Sequence, residues 1–236
     1  MPNKLNYRTP RSHTVDAQLA VARTLGHEAG SIQKGHKYDS QEFTDVFVDS
    51  LDALTEQDTQ VTYLSTPVTG GPEKYDFLLE KGVSSRNELS EEELGEYATE
   101  IIAENIDEAG DVAADLRSEG REFVLNPAGL GNMSDWTQGD YMHLWTETID
   151  QHIDSMVVRD GWEYSMGCSM EVKQAFDADI PVSDQNGNSI SEQRAIDMAK
   201  AAENKVADLG FDVSNFKQDE VLSDPNFSPE EYLKEL

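Results

Sequence analysis

Apolar residues recur at helical spacing over residues 14–29, "TVDAQLAVARTLGHEA", with Gly30 placed to stop the helix. A second helix is predicted over 40–55, started by Ser40, with Phe43, Phe47, Leu51 and Leu54 inward. The period then changes. "VTYLSTPVTGG", 61–71, reads as a short strand entering a turn rich in Pro and Gly. Residues 72–90 are long for a strand-to-helix connection and predict a lid or rim. A long helix follows over about 90–118, where Ser90 and Glu93 fit a capping box. "EFVLNP" (122–127), "SMVVRD" (155–160) and "IPV" (180–182) read as further strands. Helices are predicted over 138–153, 168–178, about 190–209 and 228–235.

Strands alternating with helices predict an α/β fold: an open, mostly parallel sheet with helices on both faces, a three-layer flavodoxin-like or Rossmann-like arrangement. Residues 1–58 form a helical N-terminal extension in this reading, and 59–236 the α/β domain with its C-terminal helices. In such sheets ligands gather at the carboxyl ends of the strands. The two stretches of chemical interest both follow strands, so both belong at that edge.

Charge sharpens the setting. The chain carries 47 Asp and Glu against 18 Lys and Arg, a net charge of −29. Self-repulsion of that size is relieved when molar salt shortens the Debye length to about 3 Å. The expectation is a halophilic cytoplasm, and the same charge argues against nucleic-acid binding through phosphates. Residues 1–40 run the other way, at +3, and hold His13, His27 and His36. A single cysteine, Cys168, excludes an intrachain disulfide, and no apolar run is long enough for a membrane span.

The first candidate stretch offers Tyr63, the hydroxyls of Ser65, Thr66 and Thr69, and a tight backbone turn at Gly70 and Gly71 that suits an anion. The second is "GWEYSMGCSME", 161–171. Ser165, Gly167 and Ser169 mark a turn that becomes a helix, whose first N–H groups suit an anion. Glu171 lies about one turn in, where a carboxylate is favoured and fixed. A fixed carboxylate can attack a sugar's anomeric carbon. Trp162 is the aromatic best placed to line a pocket, and Cys168 reads as a small buried turn residue. His143 and His152 lack metal-ligand spacing.

"VTYLSTPVTGG" followed by "DSMVVRDGWEYSMGCSMEVKQAFDADIPV" resembles the nucleoside 2-deoxyribosyltransferase-like superfamily, and within it the small phage and microbial branch related to the nucleoside 5′-monophosphate N-glycosidases. The resemblance covers roughly 60–182 and is stronger in the second stretch. It implies that Glu171 attacks C1′ to form a glycosyl-enzyme, with Tyr63 orienting it. It implies that Ser65, Thr66, Thr69, Gly70 and Gly71 contact the 5′ end, and that Ser165, with Gly167 at the turn, binds phosphate. It implies no cofactor, a nucleoside or nucleotide ligand, and a homodimer or higher homo-oligomer. The family's second acid, an aspartate before the third strand, is absent at its expected place near Thr146 or Glu147. Asp140, Asp150 and Asp154 are close in sequence, and Glu147 is the preferred substitute. Two alternatives stand beside N-glycosidic cleavage: a non-catalytic nucleotide-sensing or structural protein, and a hydrolase of another ribosyl nucleotide such as a dinucleotide, which an extra pocket near 72–90 would favour.

Overall fold

The computed structural model describes residues 40–54, 59–121, 123–130, 136–229 and 232. The helix expected over 14–29 lies outside them. Among the described residues four strands form one parallel sheet: β1 (Val61–Ser65), β2 (Phe123–Leu125), β3 (Ser155–Val158) and β4 (Val182–Asp184). Their spatial order is β2-β1-β3-β4. The chain leaves β1 toward β2 and then crosses back to β3 on the far side. The strand order therefore reverses between β1 and β3, and that is where open parallel sheets open a crevice at their carboxyl ends.

Period-two alternation assigns the two faces of the sheet. Val61, Tyr63, Phe123, Met156, Val158 and Val182 join the main core, packed by the helices α1 (Ser40–Leu54), α5 (Gln138–His152) and α6 (Met166–Asp177). Leu64, Val124 and Val157 face the other way, onto Ala113 and Leu116 of α4 (Glu104–Ser118). All five β1 residues are buried, as expected of a central strand covered on both faces.

Helix α1 buries Phe43, Phe47 and Leu51 at the spacing predicted for it. The Phe47 ring meets Trp145 of α5 edge-on at 5.9 Å. This helix precedes the sequence division at 59, yet it shares the core of the sheet.

Residues 72–90, expected to form a lid or rim, are largely helical. They form α2 (Pro72–Lys81) and a short 3₁₀ turn, Arg86–Glu88. Phe77, Leu78 and Leu89 pack onto Tyr97 and Ile101, so the segment has its own small core. Next comes α3 (Glu91–Tyr97), which opens on the predicted capping box: Ser90 and Glu93 satisfy each other's backbone N–H groups. A π-helical segment, Ala98–Ala103, joins α3 to α4. Glu91, Glu92, Glu100, Glu104, Asp107, Glu108, Asp111 and Asp115 all lie on the exposed side of this long helix. Much of the acidic excess is therefore a solvated face.

After β4 a tight turn returns as an antiparallel bridge, Ser183 to Ser189, held by Asp184 accepting from the backbone N–H groups of Asn186 and Asn188. Helix α7 (Glu192–Asp208) follows, capped by Ser191, and then α8 (Gln218–Ser223), which the sequence pattern did not predict. Pro229 and Tyr232 are helical, and Tyr232 packs with Phe227 against Met142, Met170 and Val221; the rest of the helix expected over 228–235 lies outside the described residues. Among the described residues no helix is long and apolar enough to cross a membrane.

Candidate functional site

The alternation of β1 that buries Val61 also turns Tyr63 and Ser65 toward α6. There they meet one carboxylate. The Tyr63 hydroxyl donates to Oε1 of Glu171 at 2.8 Å, and the Ser65 hydroxyl donates to Oε2 at 2.6 Å. Tyr63 and Ser65 are fully buried, and Glu171 retains 8% of its exposure. Ser65, expected among the contacts to the 5′ end, thus belongs to the carboxylate.

Burial decides the charge state of this group. Desolvation raises the Glu171 pKa to about 7, against the pull of both hydroxyl donors, which favour the ionised form. The help expected from the helix start is absent because Glu171 is the sixth residue of α6, and the dipole's influence fades within the first turn. The Tyr63 phenol is pushed well above its ordinary value by burial and by Glu171, so it remains a donor. Burial also carries the Cys168 thiol up to about 12, as suits a small interior residue and not a reactive thiolate.

The connection from β3 to α6 is built on two local devices. Gly161 has φ +84°, and a Cβ there would come 2.7 Å from Pro72 Cδ, so both the backbone and the close approach of α2 require glycine. Ser165 then caps α6, its hydroxyl accepting from the Cys168 N–H at 3.4 Å. Gly167, read from sequence as the turn, is instead the second residue of the helix; the turn glycine is Gly161. Trp162, expected to line a pocket, is 1% exposed and belongs to the main core. Trp162→Ala should cost about 3–5 kcal/mol of stability, as large-to-small core changes do. Urea denaturation checks this, and a near-neutral result would return Trp162 to the rim.

The loop after β1 reaches the same place. A Cβ on Gly70 would sit 3.6 Å from Ser165 Cβ, so the two predicted stretches touch. The loop carbonyls are held from behind: Tyr97 donates to Thr69 O at 2.9 Å, and Asn105 Nδ2 donates to Val68 O and Gly70 O, each at 3.2 Å. Asn105 is itself held by Arg159, which donates to its Oδ1 at 2.6 Å and pairs with Glu108. Gly71, with φ +99°, is the N-cap of α2 and has no side-chain cap. Thr69 is exposed, and Thr66 Oγ1 is buried with no partner among the described residues. Arg159 Nε, Trp162 Nε1 and Glu163 Oε2 in the neighbouring connection share that condition, as does Gln218 Oε1, whose amide donates to Tyr164 O. Burial pushes Glu163 upward as well. Unpaired buried polar atoms are uncommon in folded proteins, and these five lie in or against the connections that follow β1 and β3; Arg117 Nε, in the last turn of α4, is a further one away from them.

The carboxylates near the expected second acid are engaged elsewhere. Asp140 completes a capping box with Thr137, and Asp150 accepts from Gln174. Asp154 takes the Val61 N–H at 2.7 Å and so helps to start β1. Glu147 is half-buried and accepts from Gln151 one turn on, at 2.7 Å; it shares no hydrogen bond with the Glu171 group. Among the described residues no cluster of three His, Cys, Asp or Glu side chains is placed to hold a metal ion.

Residues 99–184 match a domain of unknown function, DUF4406. The match spans well under half of the chain. It takes in Asn105, Arg159, Ser165 and Glu171, and stops short of β1. No curated protein and no solved structure matches the chain.

Sequence reasoning missed Tyr97, Asn105, Glu108 and Arg159. One signal was present. Asn105 continues the stripe Tyr97, Ile101, Ala109 and Ala113 at intervals of four, all of them buried. A lone amide in an apolar stripe asks what it bonds to.

Proposed function

We propose that the protein cleaves the N-glycosidic bond of a nucleoside or a nucleoside 5′-monophosphate, with Glu171 as nucleophile. The observation that carries this reading is the Glu171 carboxylate, buried between Tyr63 and Ser65 beside the reversal point of the sheet. A carboxylate fixed at both oxygens and shielded from water suits attack on C1′, where orientation and low dielectric lower the barrier. The Glu171–C1′ bond forms as the C1′–N bond breaks and its electron pair leaves with the base. Water then attacks C1′ and frees both sugar and carboxylate, or a second base does so in a transfer reaction. The loop 66–71 and Ser165 hold the 5′ group in this scheme. Glu147 is the side chain proposed to assist the departing base, through the carboxylate oxygen that Gln151 leaves free.

The contact between Gly70 and Ser165 within one chain means that a homo-oligomer is not needed to assemble that grip. The strongly negative charge points to work in high salt, where local N–H groups outweigh the global field. A non-catalytic nucleotide-binding protein is the second reading, favoured by the structural engagement of Asp140, Asp150 and Asp154. The packed helix over 72–81 gives no support to a dinucleotide pocket there.

The test is a panel of nucleosides and 5′-monophosphates incubated with the protein in molar salt, with free base measured by chromatography. The expected result is release from at least one class, with a sugar adduct on the peptide bearing Glu171 found by mass spectrometry after rapid quenching. No release across the panel would shift the reading to binding without catalysis.

A further inference from the structure

The π-helical segment Ala98–Ala103 lies between the two residues that hold the β1 loop by its carbonyls, Tyr97 and Asn105. A regular helix turns about 100° per residue, so side chains eight positions apart point about 80° away from each other. A π turn absorbs one extra residue, which brings such a pair to within about 20°. The widened turn thus aligns Tyr97 and Asn105 along one side of the helix, and both meet the same loop.

Their donors fix the loop's direction. The carbonyls of Val68, Thr69 and Gly70 all point at α3 and α4. Each peptide is trans and planar, so the following N–H groups, of Thr69, Gly70 and Gly71, point away from those helices. No acceptor among the described residues takes these three N–H groups. Asn105 has no freedom to flip: Arg159 donates to its oxygen, which commits its nitrogen to the loop. Arg159 is buried, lies one residue past β3, and is anchored by Glu108 on α4.

We infer that Asn105 is a positioning residue: supported by Arg159 and aligned with Tyr97 by the π segment, it holds the loop Val68–Gly71 with its N–H groups presented to a substrate's 5′-phosphate. This rests on the proposed N-glycosidic cleavage and selects the 5′-monophosphate over the free nucleoside. Asn105 itself touches no substrate.

The experiment compares wild type with Asn105→Asp, which keeps the acceptor for Arg159 and removes the donor to the loop, and with Tyr97→Phe, which keeps the ring and removes one donor. Steady-state kinetics in molar salt are measured on a 5′-monophosphate and its nucleoside, with thermal unfolding as the folding control. Each folded variant should raise KM for the monophosphate about tenfold, with kcat nearly unchanged and the nucleoside unaffected. A parallel loss of kcat on both substrates, or no change in KM, would make Asn105 a purely structural residue and overturn the inference while leaving the cleavage reading intact. If wild type is inert on both substrates, the cleavage reading fails. The inference is then judged by titrating the monophosphate against the Gly70 and Gly71 amide resonances. Shifts that weaken in Asn105→Asp support it, and unmoved amides overturn it.

Discussion

Glu171→Gln should abolish base release and at the same time make the protein more stable at pH 8. The first effect follows from the role proposed for the carboxylate. An amide cannot form the glycosyl ester, and the expected loss is on the order of 10³ or more. The second follows from linkage. Glu171 has an ordinary value of 4.5 and a folded value of about 7. Below pH 4.5 the group is protonated in both folded and unfolded chains, and nothing is lost. Between 4.5 and 7 the folded protein keeps a proton that the unfolded chain releases, so stability falls as pH rises. Above 7 the full cost of a buried anion is present, about 3 kcal/mol at 1.36 kcal/mol per pKa unit. Glutamine fills nearly the same space without the charge, and both hydroxyls can rotate to meet its amide. Melting in molar salt should therefore show a gain of about 6 °C or more at pH 8 and almost none at pH 4. Equal base release by a well-folded mutant and wild type would falsify the role of Glu171. A mutant less stable than wild type at pH 8 would sink the account of its burial.

Burial at a cost in stability is what sets Glu171 apart from the acids that crowd this sequence. Glu91, Glu92, Glu100 and their neighbours are exposed along one helix, with their carboxylates in solvent. Only geometry separates Glu171 from them, and part of that geometry was readable in advance. The strand 61–65 and the helix after Ser165 follow from hydrophobic period and a capping serine. That Tyr63 and Ser65 share a face follows from alternation alone.

The less legible features depend on long-range packing. Strand β4 begins at Val182 and not at Ile180, because the Ile180 N–H closes the end of α6 on Ala175 O, while the Pro181 carbonyl takes the Met156 N–H. Nothing local to "IPV" reveals that division of labour. Gly161 and Gly167 look equivalent in the sequence, yet only the first takes a left-handed φ of +84° and meets Pro72, while the second lies inside α6. Trp162, the aromatic residue best placed in the sequence to line a pocket, lies in the main core because the turn after β3 folds it inward. The π segment shows in the sequence only as the strict four-residue interval from Tyr97 through Ile101 to Asn105, and the rotation it causes matters only once the β1 loop is in place.

Removing the hydroxyls that grip Glu171 should move the pH dependence of catalysis upward. Each hydrogen bond to an ionised group is worth about 1.5–3 kcal/mol, and both bonds here stabilise the carboxylate over the acid. Ser65→Ala or Tyr63→Phe should therefore raise the Glu171 pKa by about one to two units. In the proposed reaction the attacking form is the anion, so the rate should climb with pH through about 7 in wild type and reach its plateau later in either variant. At pH 7 the ionised fraction would drop from about one half to a tenth or less, and the rate with it. At pH 9 or above much of the loss should be recovered, because the Tyr63 phenol in Ser65→Ala, raised well above 10 by its surroundings, is still protonated and still aligns the carboxylate. Profiles of kcat/KM against pH for the three proteins are the measurement. A rising limb that stays in place while the plateau falls would mean that the hydroxyls orient the carboxylate without setting its charge. A limb that moves downward would contradict the hydrogen-bond argument itself, because the loss of a donor to an anion can only make that anion harder to form.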